Sequence, residues 1–355
     1  MRFHDDTASG GRKIIYEYAN YLAEKGHNVE ITFLADVPYK DRPHNMIKHF
    51  FHGVTFLKRK RNQENISWFN LNSTIGIKAA YCVKKKMLSK SDVVVAFDYG
   101  IALHMVESGF DTNKLVYMIQ HDEKVYNDVE IVRKAWKLPI QKVVVATWLL
   151  NLVKPFDDRV ALVKNYVRTE NFYISNPIEN RKHVVSLINH PNKYKDVATG
   201  LRALEIVKKE IPDLKVILFG NFEKPTGLPD YVYYLKKLTQ NELRENVYNQ
   251  SAIFLFPSIL EGWGLVATEA MASGAALVST RNGGVDDFGI DGETALLTEV
   301  GDFESLAEYI IQLFKNDEMR IKIAENGANL VNSLTFESSA SQFEKVLYNV
   351  AERIN

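Results

Sequence analysis

Two carboxylates with seven residues between them, Glu261 and Glu269, bracket a Gly262-Trp263-Gly264 turn in the stretch FLFPSILEGWGLVATEAMASGAALVST, Phe254 to Thr280. An apolar run from Ala252 to Phe256 precedes it, and a second, Ala275 to Val278, is entered through Ser273-Gly274. The pattern is strand, loop, helix, strand, the arrangement by which α/β proteins build sites at the carboxyl ends of parallel strands. A helix opening at Gly264 or Leu265 has unpaired first N–H groups and a positive dipole end, both suited to phosphate. Glu269, four residues after Leu265, falls one turn further along the same helix face, whereas Glu261 stays in the loop. The pair could hold two parts of one ligand with backbone amides between them, and by itself leaves the ligand open.

Other residues have chemistry to offer. Lys195 closes the segment His190-Pro191-Asn192-Lys193-Tyr194-Lys195 ahead of a helix pattern, where a lysine can meet phosphate. Gly10-Gly11 opens another helix pattern and is either a phosphate-friendly turn or only a turn. Gln120-His121-Asp122-Glu123 follows a strand pattern directly. There His121 is a candidate acceptor-side group or base, unless Asp122 simply caps a helix and His121 faces water. Asp286-Asp287 invites a metal reading, but two adjacent acids without further ligands fit a loop better, so no metal is expected. Between residues 44 and 61 aromatic and basic residues concentrate, ending in Lys58-Arg59-Lys60-Arg61. That surface suits anionic lipid headgroups, at ~1 kcal/mol per basic residue, or is a solvated turn. No recognised nucleic-acid module surrounds it, so nucleic acid is not an expected partner.

Composition bounds the class. At 355 residues the chain is too long for one ordinary core and implies two domains. The 46% apolar and 25% charged content is that of a water-soluble globular protein. Basic and acidic residues number 44 each, yet residues 1–165 hold 25 basic and 18 acidic, leaving 19 and 26 for the rest. The first part is therefore the better match for anionic partners. One cysteine, Cys82, argues against a disulfide framework or a zinc cluster. The amino terminus lacks the apolar core of a signal peptide, and the longest apolar stretch, Val143 to Val153, is about half the ~20 residues a span needs. A cytoplasmic location is expected.

The elements that must position these groups alternate along the chain. Helical spacing predicts a helix over about 12–25 and a strand over 29–34. Strands are expected at 92–97, 114–119 and 142–146, with helices at 100–108, 124–137 and from Thr147. Only eight residues precede Ser9, so either the sequence starts late or the strand that would feed the Gly10-Gly11 turn is absent or replaced. Residues 165–182, polar and containing Asn176-Pro177, read as an interdomain connection. A second series follows: strand 184–188, helix 196–210, strand 214–219, helix 239–250, then the two-carboxylate stretch. Helices over 302–314, 317–331 and 336–353 complete it.

SILEGWGLVATEAMASGAALVSTRNGG resembles the signature of the large family of retaining GT-B-fold glycosyltransferases with two glutamates seven residues apart. The resemblance extends over nearly the whole chain, through the SGG turn, YMIQHDE, NPIE and the lysine before an Ala-Leu-rich helix. YMIQHDE and KYKDVATGLRAL are similar to a rhamnosyltransferase-like subgroup of surface polysaccharide assembly. The fold this implies is α/β, with two Rossmann-like doubly wound domains facing a central cleft: 1–165 on the acceptor side, 166–335 for the nucleotide-sugar, and 336–355 as a helix returning to the first. It further implies that Glu261 contacts donor-sugar hydroxyls and Glu269 the nucleotide ribose. Amides around Gly262, Trp263, Gly264 and Leu265 would touch sugar and phosphate. Lys195 would neutralise the diphosphate, with Gly10 and Gly11 facing the same phosphates. His121 falls near the position of an acceptor-side histidine, which makes it and Glu261 the candidate catalytic residues. Many relatives place an arginine five residues before the phosphate lysine, where this chain has His190.

The expected activity is transfer of a hexose or deoxyhexose from a nucleotide-diphosphate sugar to a saccharide or lipid-linked acceptor, with retention, no metal and no cofactor beyond the donor. The expected location is cytoplasmic or peripheral on the inner membrane face. Two other readings remain: a degenerate, non-catalytic partner subunit, and a nicotinamide-dependent oxidoreductase suggested by Gly262-x-Gly264-x-x-Ala267.

Overall fold

The computed structural model describes residues 8–35, 66, 68–88, 90–125 and 127–353. The 44–61 patch and any strand before residue 8 fall outside these residues. The chain divides into two compact units, one of residues 1–164 with 337–355 and one of residues 165–336.

In the first unit, α1 (Gly10–Glu24) turns Ile14, Ile15, Tyr18 and Ala19 inward at helical spacing. It covers a parallel pair, β1 (Glu30–Leu34) and β2 (Gly76–Ala80), through Ile15, Tyr16, Ile31, Phe33 and Ile75. A second parallel sheet runs in the order β3 (Val94–Ala96), β4 (Leu115–Ile119), β5 (Gln141–Val144), β6 (Val160–Leu162). Helices α2 (Tyr99–Glu107), α3 (Val129–Trp136) and α4 (Thr147–Val153) lie between these strands in sequence. The single helix expected over 124–137 is broken. A short 3-10 turn covers Glu123–Val125, and Asp128 then starts α3 afresh by accepting from the N–H groups of Glu130 and Ile131.

The second unit is one parallel sheet in the order β12 (Ala295–Thr298), β11 (Ala276–Thr280), β10 (Ile253–Phe256), β7 (Val184–Ile188), β8 (Lys215–Gly220), β9 (Val232–Lys236). Its helices are α5 (Val197–Glu210), α6 (Gln240–Asn246), α7 (Leu265–Ala272), α8 (Phe303–Lys315) and α9 (Asp317–Asn332). Strands buried on both faces read as near-continuous apolar runs, which is why IFLF and ALVST were recognisable. The core joins Val185, Leu187, Val216, Leu218, Ile253, Leu255 and Val278 of the sheet to Leu204, Val207, Ile310 and Leu313 of the helices. Each such side chain contributes ~1.5–3 kcal/mol of burial.

Residues 165–182, expected as a connection, are packed onto this unit. The buried Arg181 guanidinium donates to the carbonyls of Asn176, Ser251 and Ser273, and the Asn249 side chain binds the Ser175 and Asn176 amides. The last helix, α10 (Phe336–Glu352), packs in the first unit instead. Tyr18 Oη and Ser339 Oγ are 2.7 Å apart, Tyr18 stacks on Phe343, and Arg353 donates to Gln141. Both units are α/β, and every sheet among the described residues is parallel.

Candidate active site

In the second unit the chain leaves β7 toward β8 on one side and later returns to β10 on the other. That reversal is the topological switch point at which open α/β sheets bind ligands, beyond the strands' carboxyl ends. The loop after β7 contains His190 to Lys195, and the loop after β10 contains Pro257 to Gly264, so two segments far apart in sequence meet there. Their backbones join directly, the Ile259 N–H donating to the Tyr194 carbonyl at 2.7 Å.

Lys195 sits in a 3-10 turn, Lys193–Lys195, rather than on α5 itself. Asp196 follows it in the left-handed region (φ 43°, ψ 46°) and caps α5 by accepting from Thr199 N–H. From that bend Lys195 Nζ reaches both Glu261 carboxylate oxygens, at 2.7 and 2.9 Å. The side chains are only 15% and 7% exposed, so water screens the pair weakly. Ser258 Oγ donates to the same carboxylate at 2.7 Å, and Glu261 N–H donates to the Asn282 carbonyl at 2.9 Å. Ser258 is held in turn by the Thr280 hydroxyl at the end of β11. The carboxylate is thus fixed by a cation, a hydroxyl and its own backbone.

The Gly262-Trp263-Gly264 turn leads into α7. Gly264 takes φ 105°, and a β-carbon there would lie 2.9 Å from the Phe256 ring. Only glycine meets both demands. The α7 amino end has no side-chain cap and no acid in its first turn, and the Ala267 N–H turns back to the Gly264 carbonyl, so the Leu265 end presents the positive dipole to a ligand. Trp263 is buried against Phe288. Glu269, on the second turn of α7, is half-buried and accepts from Tyr248 Oη at 3.3 Å. The structure therefore brings Lys195, Glu261 and the Gly262–Leu265 turn to the switch point, with Glu269 on the helix that the turn opens.

His190 is close to Lys195 in sequence but supplies no fixed charge. Burial, with the Lys195 charge second, pushes its imidazole down to about 4, so it is neutral near pH 7. Its Nδ1 accepts from the Asn192 N–H, and its ring meets Phe222 edge-on. A fixed positive charge is supplied here by Lys195, not by His190.

In the first unit, Gly10 and Gly11 are the exposed first residues of α1, whose cap Ser9 makes no side-chain bond. A β-carbon on Gly11 would come 3.2 Å from Gln120 Oε1, so the glycine turn lies against the segment after β4. His121, next to Gln120, is exposed. Asp122 accepts from the Lys124 N–H, starting the short turn. Glu123 is buried, receiving bonds from Tyr117 Oη and the Tyr99 N–H.

Asp286 and Asp287 lie in the turn Gly284–Asp287, and among the described residues no three His, Cys, Asp or Glu are placed to hold a metal ion. The dinucleotide fingerprint requires a tight strand-to-helix turn, yet residues 257–264 separate β10 from α7, and β11 ends in buried Ser279 and Thr280 rather than an acid. Sequence reading missed Ser258 and Tyr248. Ser258 was legible only as part of the FPS motif, and nothing in the residues around Tyr248 signalled a partner in Glu269.

Comparison with known proteins bears on the same segment. Residues 168–330 match the family model described as glycosyl transferases group 1. The matched segment lies wholly within the second unit. Among curated relatives, the capsular polysaccharide biosynthesis glycosyltransferase CapM of Staphylococcus aureus is 27% identical over 186 residues, 48% of each chain. The chain thus spans about half of that relative's length. The N-acetyl-alpha-D-glucosaminyl L-malate synthase of Bacillus anthracis is 24% identical over 96% of this chain and 94% of its own. In structure, sucrose-phosphate synthase from Thermosynechococcus elongatus superposes with a TM-score of 0.72 over 98% of this chain and 95% of its own, at 16% identity. Anabaena HepE, solved with UDP and glucose, gives 0.71 over 98% of each chain at 13% identity. These two show the fold. The matched segment contains Glu261, Glu269, Lys195 and His190, whereas Gly10, Gly11 and His121 lie outside it.

Among the described residues no helix is long and apolar enough to cross a membrane.

Proposed function

We propose that the protein is a retaining glycosyltransferase that moves a hexose or deoxyhexose from a nucleotide-diphosphate sugar to a saccharide or lipid-linked acceptor in cell-surface glycan synthesis. The observation that carries this reading is the Lys195–Glu261–Ser258 cluster beside an uncapped helix amino end at the switch point of the unit that contains the group 1 match. Such a site offers a cation and oriented amides for a diphosphate, and a rigid carboxylate for hydroxyls.

In the reaction the bond between the anomeric carbon and the diphosphate oxygen breaks, and a bond to an acceptor oxygen forms. The acceptor hydroxyl gives up its proton, and the departing nucleoside diphosphate gains negative charge. Lys195 and the amides of the Gly262–Leu265 turn stabilise that charge most where it develops. Glu261 accepts from donor-sugar hydroxyls and holds the reacting carbon in place, and Glu269 accepts from the ribose. Gly10 and Gly11 add amides toward the phosphates, and His121 serves the acceptor hydroxyl. Fixed positive charge on the protein does the work a metal does elsewhere, so turnover should survive EDTA. The capsular polysaccharide relative supports a saccharide acceptor, and the N-acetyl-alpha-D-glucosaminyl L-malate synthase supports a small hydroxylated one. The region 44–61 is the proposed contact with an anionic inner membrane face.

A thermal-shift screen against UDP-, GDP-, ADP- and dTDP-sugars tests the reading, because a ligand at 100 times its Kd adds about 2.7 kcal/mol of stability. One or more donors should raise the melting temperature by several degrees in wild type and not in Glu261→Ala. No stabilisation by any of them would reject it.

A further inference from the structure

Tyr248 begins the short turn Tyr248–Gln250 ahead of β10, and its side chain has no exposed surface. Phe219 and Phe254 meet its ring edge-on at 5.7 and 5.9 Å, and Phe172 is tilted against it at 5.9 Å. Out of this aromatic cage only the hydroxyl reaches polar ground, donating to Glu269 Oε2 at 3.3 Å. Burial, and then the Glu269 charge, push the phenol well above its usual range, so it remains a donor at any working pH. A buried tyrosine needs a partner for its hydroxyl, but it need not take one from a half-buried glutamate on the helix that opens at the switch point.

The consequence falls on the carboxylate. Glu269 has three rotatable side-chain bonds, and a half-buried glutamate would ordinarily spread over several rotamers. A hydrogen bond from a phenol that cannot move fixes one oxygen and, through it, the plane of the group. An ionised carboxylate accepts about four hydrogen bonds, so the phenol leaves capacity for two neighbouring hydroxyls. Vicinal hydroxyls of that spacing are what a ribose presents and a 2′-deoxyribose lacks.

Resting on the nucleotide-sugar reading above, we infer that Tyr248 is a positioning residue that locks Glu269 for the 2′- and 3′-hydroxyls of a ribose, and so selects ribonucleotide over 2′-deoxyribonucleotide donors. A site organised around a hydroxyl rejects the analogue without it, because the carboxylate is then left short of a donor. Thymidine-diphosphate sugars are accordingly disfavoured donors.

The experiment is calorimetry on the full chain with UDP, GDP, ADP and CDP, followed by the 2′-deoxy form of whichever binds best. Wild type should prefer the ribonucleotide by about 10-fold or more. Tyr248→Phe keeps the ring and its three aromatic neighbours, and should cut that ratio by about 3-fold or more, mainly through weaker binding of the ribonucleotide. Glu269→Gln, which replaces an acceptor oxygen by an N–H donor, should bring the ratio near one whether or not the phenylalanine variant folds well. No ribose preference in wild type overturns the inference, as does a full preference in Tyr248→Phe alongside its loss in Glu269→Gln. Failure of all four ribonucleotides to bind wild type would instead overturn the nucleotide reading from which the inference follows.

Discussion

Lys195 reaches from the loop after β7 to both carboxylate oxygens of Glu261, in the loop after β10, and each side chain is mostly withdrawn from water. Sixty-six positions separate the two in sequence, and the adjacency of β7 and β10 closes that distance. Breaking such a pair from one side strands a buried charge, whereas replacing both partners by apolar groups of similar size removes the penalty.

This asymmetry separates stability from function. Lys195→Ala should cost ~3–5 kcal/mol, because Glu261 keeps its charge with Ser258 as its remaining side-chain donor. Lys195→Met combined with Glu261→Leu should recover most of that stability yet have no measurable turnover. Urea denaturation and a donor-consumption assay on both proteins check it. Turnover in the double variant would mean the pair is only a structural tie.

The imidazole of His190 makes acid stability depend on this site. Its ordinary value is near 6.5, and in the folded protein it lies at about 4. Between these two values the unfolded chain holds a proton that the folded chain does not. Stability from this group is therefore complete above pH 6.5 and is lost as the pH falls toward 4. Because the ring is only half-buried, the loss should be on the order of 1 kcal/mol. Urea midpoints measured from pH 4 to 7 should slope more steeply in wild type than in His190→Gln. Parallel curves would remove His190 as the cause.

Much of this arrangement could be read in the residues. The strands of IFLF, ALVST and VVSLI were legible because buried parallel strands are largely apolar runs, and Gly264 because it stands between such a strand and a helix pattern. The strands that escaped notice, β2, β6, β9 and β12, lie at sheet edges. In β9 the exposed Tyr233 and Lys236 interrupt the apolar run, whereas β12, though buried throughout, is only four residues long. The helix over 124–137 was read as continuous because its apolar spacing carries across the break, while Asp128 was not recognised as a cap. Lys195 and Glu261 were each legible as candidates, but their bond was not, since it depends on strand order. Tyr248 sat inside a stretch read as plain helix, and its hydroxyl finds Glu269 only in three dimensions.

Close packing gives another test at Gly284. A β-carbon there would lie 2.4 Å from the Trp263 carbonyl oxygen and 2.6 Å from Glu261 Cβ. Neither atom is the tip of a flexible side chain, so Gly284→Ala must shift the Glu261 loop. The expected cost is ~1–3 kcal/mol of stability. A displacement of ~1 Å at a positioning group can lower turnover about 10²-fold. Melting temperature and kcat/KM measured together should show both effects, and unchanged kcat/KM would argue that the loop does not position the donor.

His121 provides the sharpest separation of donor from acceptor. It is exposed just after β4, outside the segment that matches the glycosyl transferases group 1 model, beside Gln120 and the Gly10-Gly11 turn. An exposed residue can be replaced at little structural cost, within about 0.5 kcal/mol. If it assists removal of the acceptor proton, His121→Ala should lower kcat by ~10²–10⁴-fold. Donor affinity, assigned in the proposed function to Lys195, Glu261 and Glu269, should stay the same. Hydrolysis of the donor by water, which needs no saccharide acceptor, should fall less than transfer does. Measured side by side on one preparation, equal losses of transfer and hydrolysis would place His121 on the donor, and no loss of either would leave it a surface residue.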